Sequence, residues 1–275
     1  MNNDELKKKI ADIIYHTGCT GACCECDYSK HSDADTYCKA MLKASALIAA
    51  GVCSVDYSGG RNEKENKKRC KMMIKAIDLF SGGGGVSIGL THAGFKLSCA
   101  LEIDDAAVKA YKGYHLLKDV NVIQDDICNV SGETLLKTAG IDGNELYLLA
   151  GCPPCQKFSM QNRIHNLDEG KIDEVKKLLM QFKRIIQEIF PPFVLMENVP
   201  GIKSSYGGKI LNEFLTDLDN RNAPLNQQYK VVYGVVNAAN YGVPQTRKRF
   251  VLHAVRRDVY LTMCNLGLKM TLPIE

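Results

Sequence analysis

The sequence predicts an α/β fold in which a mostly parallel sheet carries helices on both faces. Three observations predict it. From residue 74 onward, short apolar or β-branched runs alternate with helical patterns. Four successive glycines, Gly82 to Gly85, separate the first such run from the first helix. An apolar stripe at three- and four-residue steps, Ile172, Val175, Leu178, Leu179, Phe182, Ile185, Ile186 and Ile189, marks one long amphipathic helix.

The elements follow in order. "IKAIDLF" is a strand ending at the glycine cluster, and "VSIGLTHAG" is a helix with Gly94 as its C-terminal cap. "KLSCALEID" is a second strand, followed by a helix from about Asp104 to Tyr114. "ELYLLAG" is a third strand, entering the stiff loop "CPPCQKFS", where Pro153 and Pro154 fix the backbone before Cys155. "PPFVLMENV" is a strand whose far end bears Glu197 and Asn198, and "GKILNEFLTDL" is a helix. "YKVVYGVVNA" and "RKRFVLHAVRRD" are two late strands around a loop containing "YGVPQTR". Ligands of such sheets gather beyond the carboxyl ends of the strands. The glycines, Glu102, Cys155 and Glu197 each follow a strand, so all four are expected on one rim.

The chain has 275 residues and a net charge of +4, from 35 basic and 31 acidic side chains. That mild excess permits a nucleic-acid partner without requiring one. No apolar run is long enough for a membrane span and the start, "MNNDELKKKIADII", lacks a secretory hydrophobic stretch, so a cytoplasmic location is expected. Twelve cysteines are then reduced thiols, metal ligands or a nucleophile.

Six of these cysteines precede residue 54, and "DYSGGRNEKENKKR" after them has linker composition. The expected division is a Cys-rich helical module over 1–56, a linker over 57–72 and a larger domain over 73–275. Cys19, Cys23, Cys26 and Cys38 could close a structural metal site, with free buried thiols as the alternative.

Within the large domain the glycine cluster opens a helix N-terminus to close ligand approach. The dinucleotide pattern G-x-G-x-x-G fails at its last position, where Ile88 follows Gly83 and Gly85. Glu102, after the next strand, suits ribose hydroxyls, which NAD and S-adenosylmethionine share. A glycine-rich turn that binds nothing is the alternative. Asp126 is a weaker candidate for an adenine contact. Cys152 and Cys155 spell C-x-x-C, readable as a redox pair or as one nucleophile with a bystander. Glu197, at the lip of an apolar strand, could serve as an acid, and Gln245, Arg247 and Arg249 follow in one extended segment with both arginines on one side.

"DLFSGGGG", "GCPPCQKFS", "MENVPG" and "YGVPQTRKRF", in this order and at these separations, resemble the motifs of the DNA (cytosine-5) methyltransferases over about residues 74 to 258. The resemblance implies a Rossmann-like class I methyltransferase sheet, S-adenosylmethionine as cofactor and double-stranded DNA as partner. It implies Cys155 as a nucleophile toward cytosine, Glu197 as the acid at ring nitrogen 3, Arg247 as the group orienting the base, and Asn198 as a backbone support. Phe80, Ser81, Gly82, Gly83, Gly85, Glu102, Ile103, Asp126 and Pro154 would line the cofactor pocket. Lys157, Ser159, Gln245 and Arg249 would serve DNA and the loop above it. Cys152 departs from the family, which favours glycine or an apolar residue there. The chain stops soon after the Gln-x-Arg-x-Arg strand, at "LKMTLPIE". A second polypeptide supplying target recognition, or a truncated frame of little activity, is therefore expected. A catalytically idle subunit is the rival expectation.

Overall fold

A computed structural model describes residues 74–142, 145, 147–154, 169–204, 208–241 and 244–265, with side chains of the long helix described from 177 onward. The Cys-rich module, the linker and the loop residues Cys155, Lys157 and Ser159 lie outside the described residues.

Seven strands form one sheet: β1 (Lys75–Leu79), β2 (Lys96–Glu102), β3 (Asn121–Gln124), β4 (Tyr147–Gly151), β5 (Phe193–Asn198), β6 (Tyr229–Asn237) and β7 (Lys248–Arg256). Their spatial order is β3-β2-β1-β4-β5-β7-β6. The pairs among β1 to β5 are parallel, while β7 runs antiparallel between β5 and β6. The helices are α1 (Gly85–His92), α2 (Asp105–Gly113), α3 (Gly132–Ala139), α4 (Glu169–Ile189), α5 (Lys209–Leu218) and α6 (Arg257–Asn265).

Alternation along the strands divides the core. Ile77, Leu79, Leu149, Met196 and Leu252 point to one face, where α3, α4 and α5 contribute Leu135, Phe182, Ile185 and Phe214. Ala76, Leu148, Ala150, Leu195 and Val251 point to the other, under Leu90 of α1 and Val259 and Met263 of α6. A sheet covered on both sides explains why the inner strands read as continuous apolar runs.

Local signals set the helix ends. The Asp104 carboxylate accepts from the Ala107 N–H at 2.7 Å and caps α2, and Ser131 caps α3 through Thr134. After α1 the chain turns at Gly94, with φ of 92°, and Phe95 N–H returns to the Leu90 carbonyl. Carbonyls at the end of α4 and just beyond it accept from three side chains: Tyr147 Oη to Ile189, Arg256 to Phe190 and Tyr229 Oη to Pro191, at 2.8–3.0 Å. These bonds fix the angle at which the chain enters β5.

The expected strands and helices form, with three differences. The short edge strand β3 and helix α3 lie in a segment where the sequence pattern signals neither. The expected last strand over 247–258 gives up Arg257 and Asp258 to α6, whose first turn places the negative charge of Asp258 at the helix N-terminus; its carboxylate accepts the Val259 N–H at 2.9 Å and pairs with Arg256 at 2.8 Å.

Gly151, the last residue of β4, is required by packing: a Cβ there would sit 2.6 Å from the Phe182 ring of α4. Gly151→Ala is expected to destabilise the protein by about 1–3 kcal/mol through overpacking. Denaturant unfolding measures it; an unchanged midpoint would show that the ring moves aside freely.

Candidate active site

The rim is built by register. Leu79 of β1 lies opposite Leu101 of β2 and Gly151 of β4, and Gly151 lies opposite Met196 of β5. The four strands therefore end within two residues of one another, and the segments after them open from one edge of the sheet. The Cys152 N–H donates to the Leu79 carbonyl at 3.3 Å, carrying the β1–β4 ladder one step past the strands.

The segment after β1 turns sharply. Phe80, Gly82 and Gly84 all have positive φ, 57°, 53° and 94°. For Phe80 this conformation is uncommon and strained. Ser81 N–H donates to the Leu101 carbonyl, and Gly84 N–H to the Ser81 carbonyl. The Glu102 carboxylate staples the loop to β2: one oxygen accepts from the Gly82 N–H at 2.7 Å and the other from Ile103 and Asp104 N–H at 2.9 Å. Each carboxylate oxygen carries two acceptor sites, so the oxygen facing Gly82 retains one.

Above this loop the protein leaves room. A Cβ on Gly82 or Gly83 would meet nothing within 4 Å, whereas one on Gly84 would strike Leu117 and crowd Tyr111. The Ser81 hydroxyl is buried without a hydrogen-bond partner. Ile103 is 63% exposed beside Glu102. Asp126 caps a short 3-10 turn, Ile127–Asn129, by accepting from Cys128 N–H at 2.9 Å, a bond that holds its carboxyl below the ordinary range. An open glycine backbone, an orphan hydroxyl, a residual carboxylate acceptor and an exposed apolar side chain together fit a ligand with a ribose and a flat base. Gly85 is the first residue of α1, and Pro154 is exposed at the last described position before the Cys155 loop.

Beneath the loop lies a polar group that sequence reasoning missed. Asp78, fully buried in β1, accepts from the Ser87 hydroxyl at 2.6 Å, and Ser87 lies 2.7 Å from the Tyr111 hydroxyl. Burial pushes the Asp78 carboxyl from 3.8 up to about 7, against the hydrogen bonds from Ser87 and helped by the charge of Glu102. The available signal was an aspartate inside the apolar run "IKAIDLF".

Further along the rim, Glu197 shares a face of β5 with Leu195, and its register partner on β7 is Val251. Arg249, two residues from Val251 along the same face, is a diagonal neighbour within reach of a long side chain. Its Nε lies 2.8 Å from Glu197 Oε1. Burial pushes the Glu197 carboxyl from 4.5 up to about 7, against the pull of Arg247 and of a hydrogen bond from Cys152. The close Arg249 pair pulls in the same direction as Arg247. Cys152 is placed for this by register, one step beyond the Gly151–Met196 pair and on the same face as Glu197.

Asn198 does what its neighbours need. Its Nδ2 donates to the Pro153 carbonyl at 3.3 Å and its Oδ1 accepts from the Val199 N–H at 2.8 Å. The first proline of the loop is thereby tied to the end of β5. Gln245 and Arg247 are exposed, and the Arg247 carbonyl accepts from the Ala238 N–H at 2.9 Å. The structure thus gathers the glycine loop, Glu102, Glu197, Arg247 and Arg249 on one rim. Asp126 follows β3, in line with the same edge. Among the described residues no group of three or more metal-ligating side chains occurs, and no helix is long and apolar enough to cross a membrane.

The family model for C-5 cytosine-specific DNA methylases matches residues 74–269. The chain belongs to that family. It is 34% identical over 180 residues to the type II methyltransferase M.AquIA of Picosynechococcus sp., covering 65% of this chain and 70% of that protein. It is also 34% identical over 187 residues to the type II methyltransferase M.XorII of Xanthomonas oryzae pv. oryzae, covering 67% of this chain and 41% of that one. Among solved structures, a prophage-encoded protein from E. coli described as a DNA modification methyltransferase superposes with a TM-score of 0.55 and 28% identity, over 72% of this chain and 49% of its own. The chain thus spans 70% of the first of these relatives and less than half of the other two. Its mixed seven-stranded sheet with helices on both faces is the methyltransferase fold of this family.

Two measurements probe the electrostatics. Arg249→Gln removes the guanidinium paired with Glu197 at 2.8 Å while Arg247 remains, so it should raise the Glu197 pKa above about 7; NMR titration of the carboxyl carbon reads it, and an unmoved midpoint refutes the pairing. Asp78 binds its proton more tightly when folded. Its contribution to stability is full below about pH 4 and is lost as pH rises toward 7. Asn cannot ionise, so the melting temperature of Asp78→Asn relative to the parent should rise by about 5 °C or more from pH 4 to 7. A pH-independent difference would mean that Asp78 is ionised throughout.

Proposed function

We propose that the chain transfers a methyl group from S-adenosylmethionine to carbon 5 of a cytosine in double-stranded DNA, with Cys155 as covalent nucleophile. The observation that carries this reading is Glu197: a carboxyl near neutral pKa, held by Arg249 at 2.8 Å, one register step from the strand that leads to Cys155. Family membership and the open space beside Gly82 and Gly83 among the described residues support it.

S-adenosylmethionine supplies an electrophilic methyl group on a sulfonium sulfur. Ser81, Gly82, Gly83, Glu102 and Ile103 are the residues that would hold it, Glu102 through ribose hydroxyls. Carbon 5 of cytosine is too electron-poor to accept a methyl group unaided. The Cys155 thiolate adds to carbon 6, and the electron pair released toward carbon 5 and the ring makes carbon 5 nucleophilic. Glu197, protonated near neutral pH, donates to ring nitrogen 3 as negative charge builds there. Carbon 5 would take the methyl group as the sulfonium–methyl bond breaks, leaving the thioether S-adenosylhomocysteine; a base then removes the carbon-5 proton, the double bond re-forms and the thiolate leaves. Arg247 orients the base, while Arg249 keeps the Glu197 carboxyl facing it. The reacting carbon is inaccessible inside a duplex, so the cytosine is flipped out at a cost of roughly a few kcal/mol, with Lys157, Ser159 and Gln245 serving the DNA backbone.

The bacterial type II methyltransferases among the relatives support a cytoplasmic setting in a bacterium or phage-infected cell, in a restriction–modification role. DNA containing 5-fluorocytosine tests the chemistry, because fluorine cannot leave carbon 5 as the proton does. With S-adenosylmethionine present, and with or without a second polypeptide carrying a target-recognition region, the chain should form a covalent adduct that Cys155→Ser abolishes. Glu197→Gln should lower kcat by about 10²- to 10⁴-fold. An adduct that survives Cys155→Ser would overturn the nucleophile; absence of any adduct in either arm would leave an idle subunit as the better reading.

A further inference from the structure

We propose that Tyr111 and Ser87 are positioning residues for the cofactor: a buried hydrogen-bond relay, Tyr111 to Ser87 to Asp78, fixes the glycine loop over the end of β1 and so sets affinity for the adenosyl ligand. This rests on the reading of S-adenosylmethionine as methyl donor.

The relay crosses three elements. Asp78 belongs to β1, Ser87 to the first turn of α1 and Tyr111 to the last turn of α2, and all three are fully buried. Ser87 Oγ donates its one proton to Asp78 Oδ2 at 2.6 Å, so the Tyr111 hydroxyl, 2.7 Å away, is the donor to Ser87. The Tyr111 ring also seats the loop itself. Gly84, the N-cap of α1, has φ of 94°, and a Cβ there would lie 3.0 Å from the ring. One side chain thus touches the loop with its ring and holds the helix behind the loop with its oxygen.

Stability alone does not call for this arrangement. Three polar groups in an apolar interior gain little over water, and apolar replacements of the same shape can be neutral or better. What directional bonds add is a fixed distance and angle between β1 and α1. The loop and the first turn of α1 would lie against the ligand, and open space lies over Gly82 and Gly83 among the described residues. One Asp78 oxygen has no partner, so it is Ser87, by its hydroxyl and its backbone N–H, that orients the carboxyl. Glu102 ties the loop from the β2 side by Gly82, and the relay ties it from below by Ser87.

The test is calorimetric titration of the full chain with S-adenosylhomocysteine and S-adenosylmethionine. Tyr111→Phe, which removes a single oxygen, and Ser87→Ala should each raise Kd about three- to tenfold. Both act through the same bond chain, so the double variant should be no weaker than the weaker single one. Where turnover is measured, KM for the donor should follow Kd while kcat at saturating donor stays within about twofold. Unchanged Kd in Tyr111→Phe, or losses that simply add in the double variant, would overturn the relay and leave the cofactor reading standing. A parent chain that binds neither ligand would overturn both.

Discussion

Everything at the rim depends on the register of four parallel strands. Because Leu79 pairs with both Leu101 and Gly151, and Gly151 with Met196, the residues that follow are delivered to one edge without a long loop to carry them. A slip of one residue in any pair would turn Glu102, Cys152 or Glu197 to the opposite face. The two-sided core resists such slips, since each strand buries alternate side chains in different helix layers. Phe182 of α4 closes the space beside Gly151 and so fixes the end of β4, where the Cys155 loop begins.

On that frame burial sets the protonation of two carboxyls. Asp78 and Glu197 lie on the same face of the sheet, and each has its pKa pushed up to about 7 by desolvation. Their surroundings differ. Asp78 has the hydroxyl and backbone N–H of Ser87 and a like charge at Glu102, whereas Glu197 has two arginines and a thiol. The first suits a group that holds structure; the second suits one that must present a proton to an incoming base and recover it.

Much of this was legible in the residues. The glycine cluster, the apolar runs and the long helical stripe located β1, β2, β4, β5, β6, β7 and α4, and the resemblance assigned a family that the match over residues 74–269 establishes. Four residues of β3 with polar ends carry too little period to be seen. The Asp78–Ser87–Tyr111 chain was invisible because its members lie 9 and 24 residues apart and meet only through packing. The pairing of Arg249 with Glu197 was not among the expectations; that contact follows from antiparallel register, which spacing within one segment does not reveal.

The antiparallel strand β7 imposes a parity rule. Arg249 reaches Glu197 because it is an even number of residues from Val251, on the face that also holds Val255. One extra residue inserted between Arg249 and Val251 would carry the guanidinium through the sheet to the apolar side lined by Phe250 and Leu252, away from Glu197. Length variation among homologous chains should therefore be absent from this stretch.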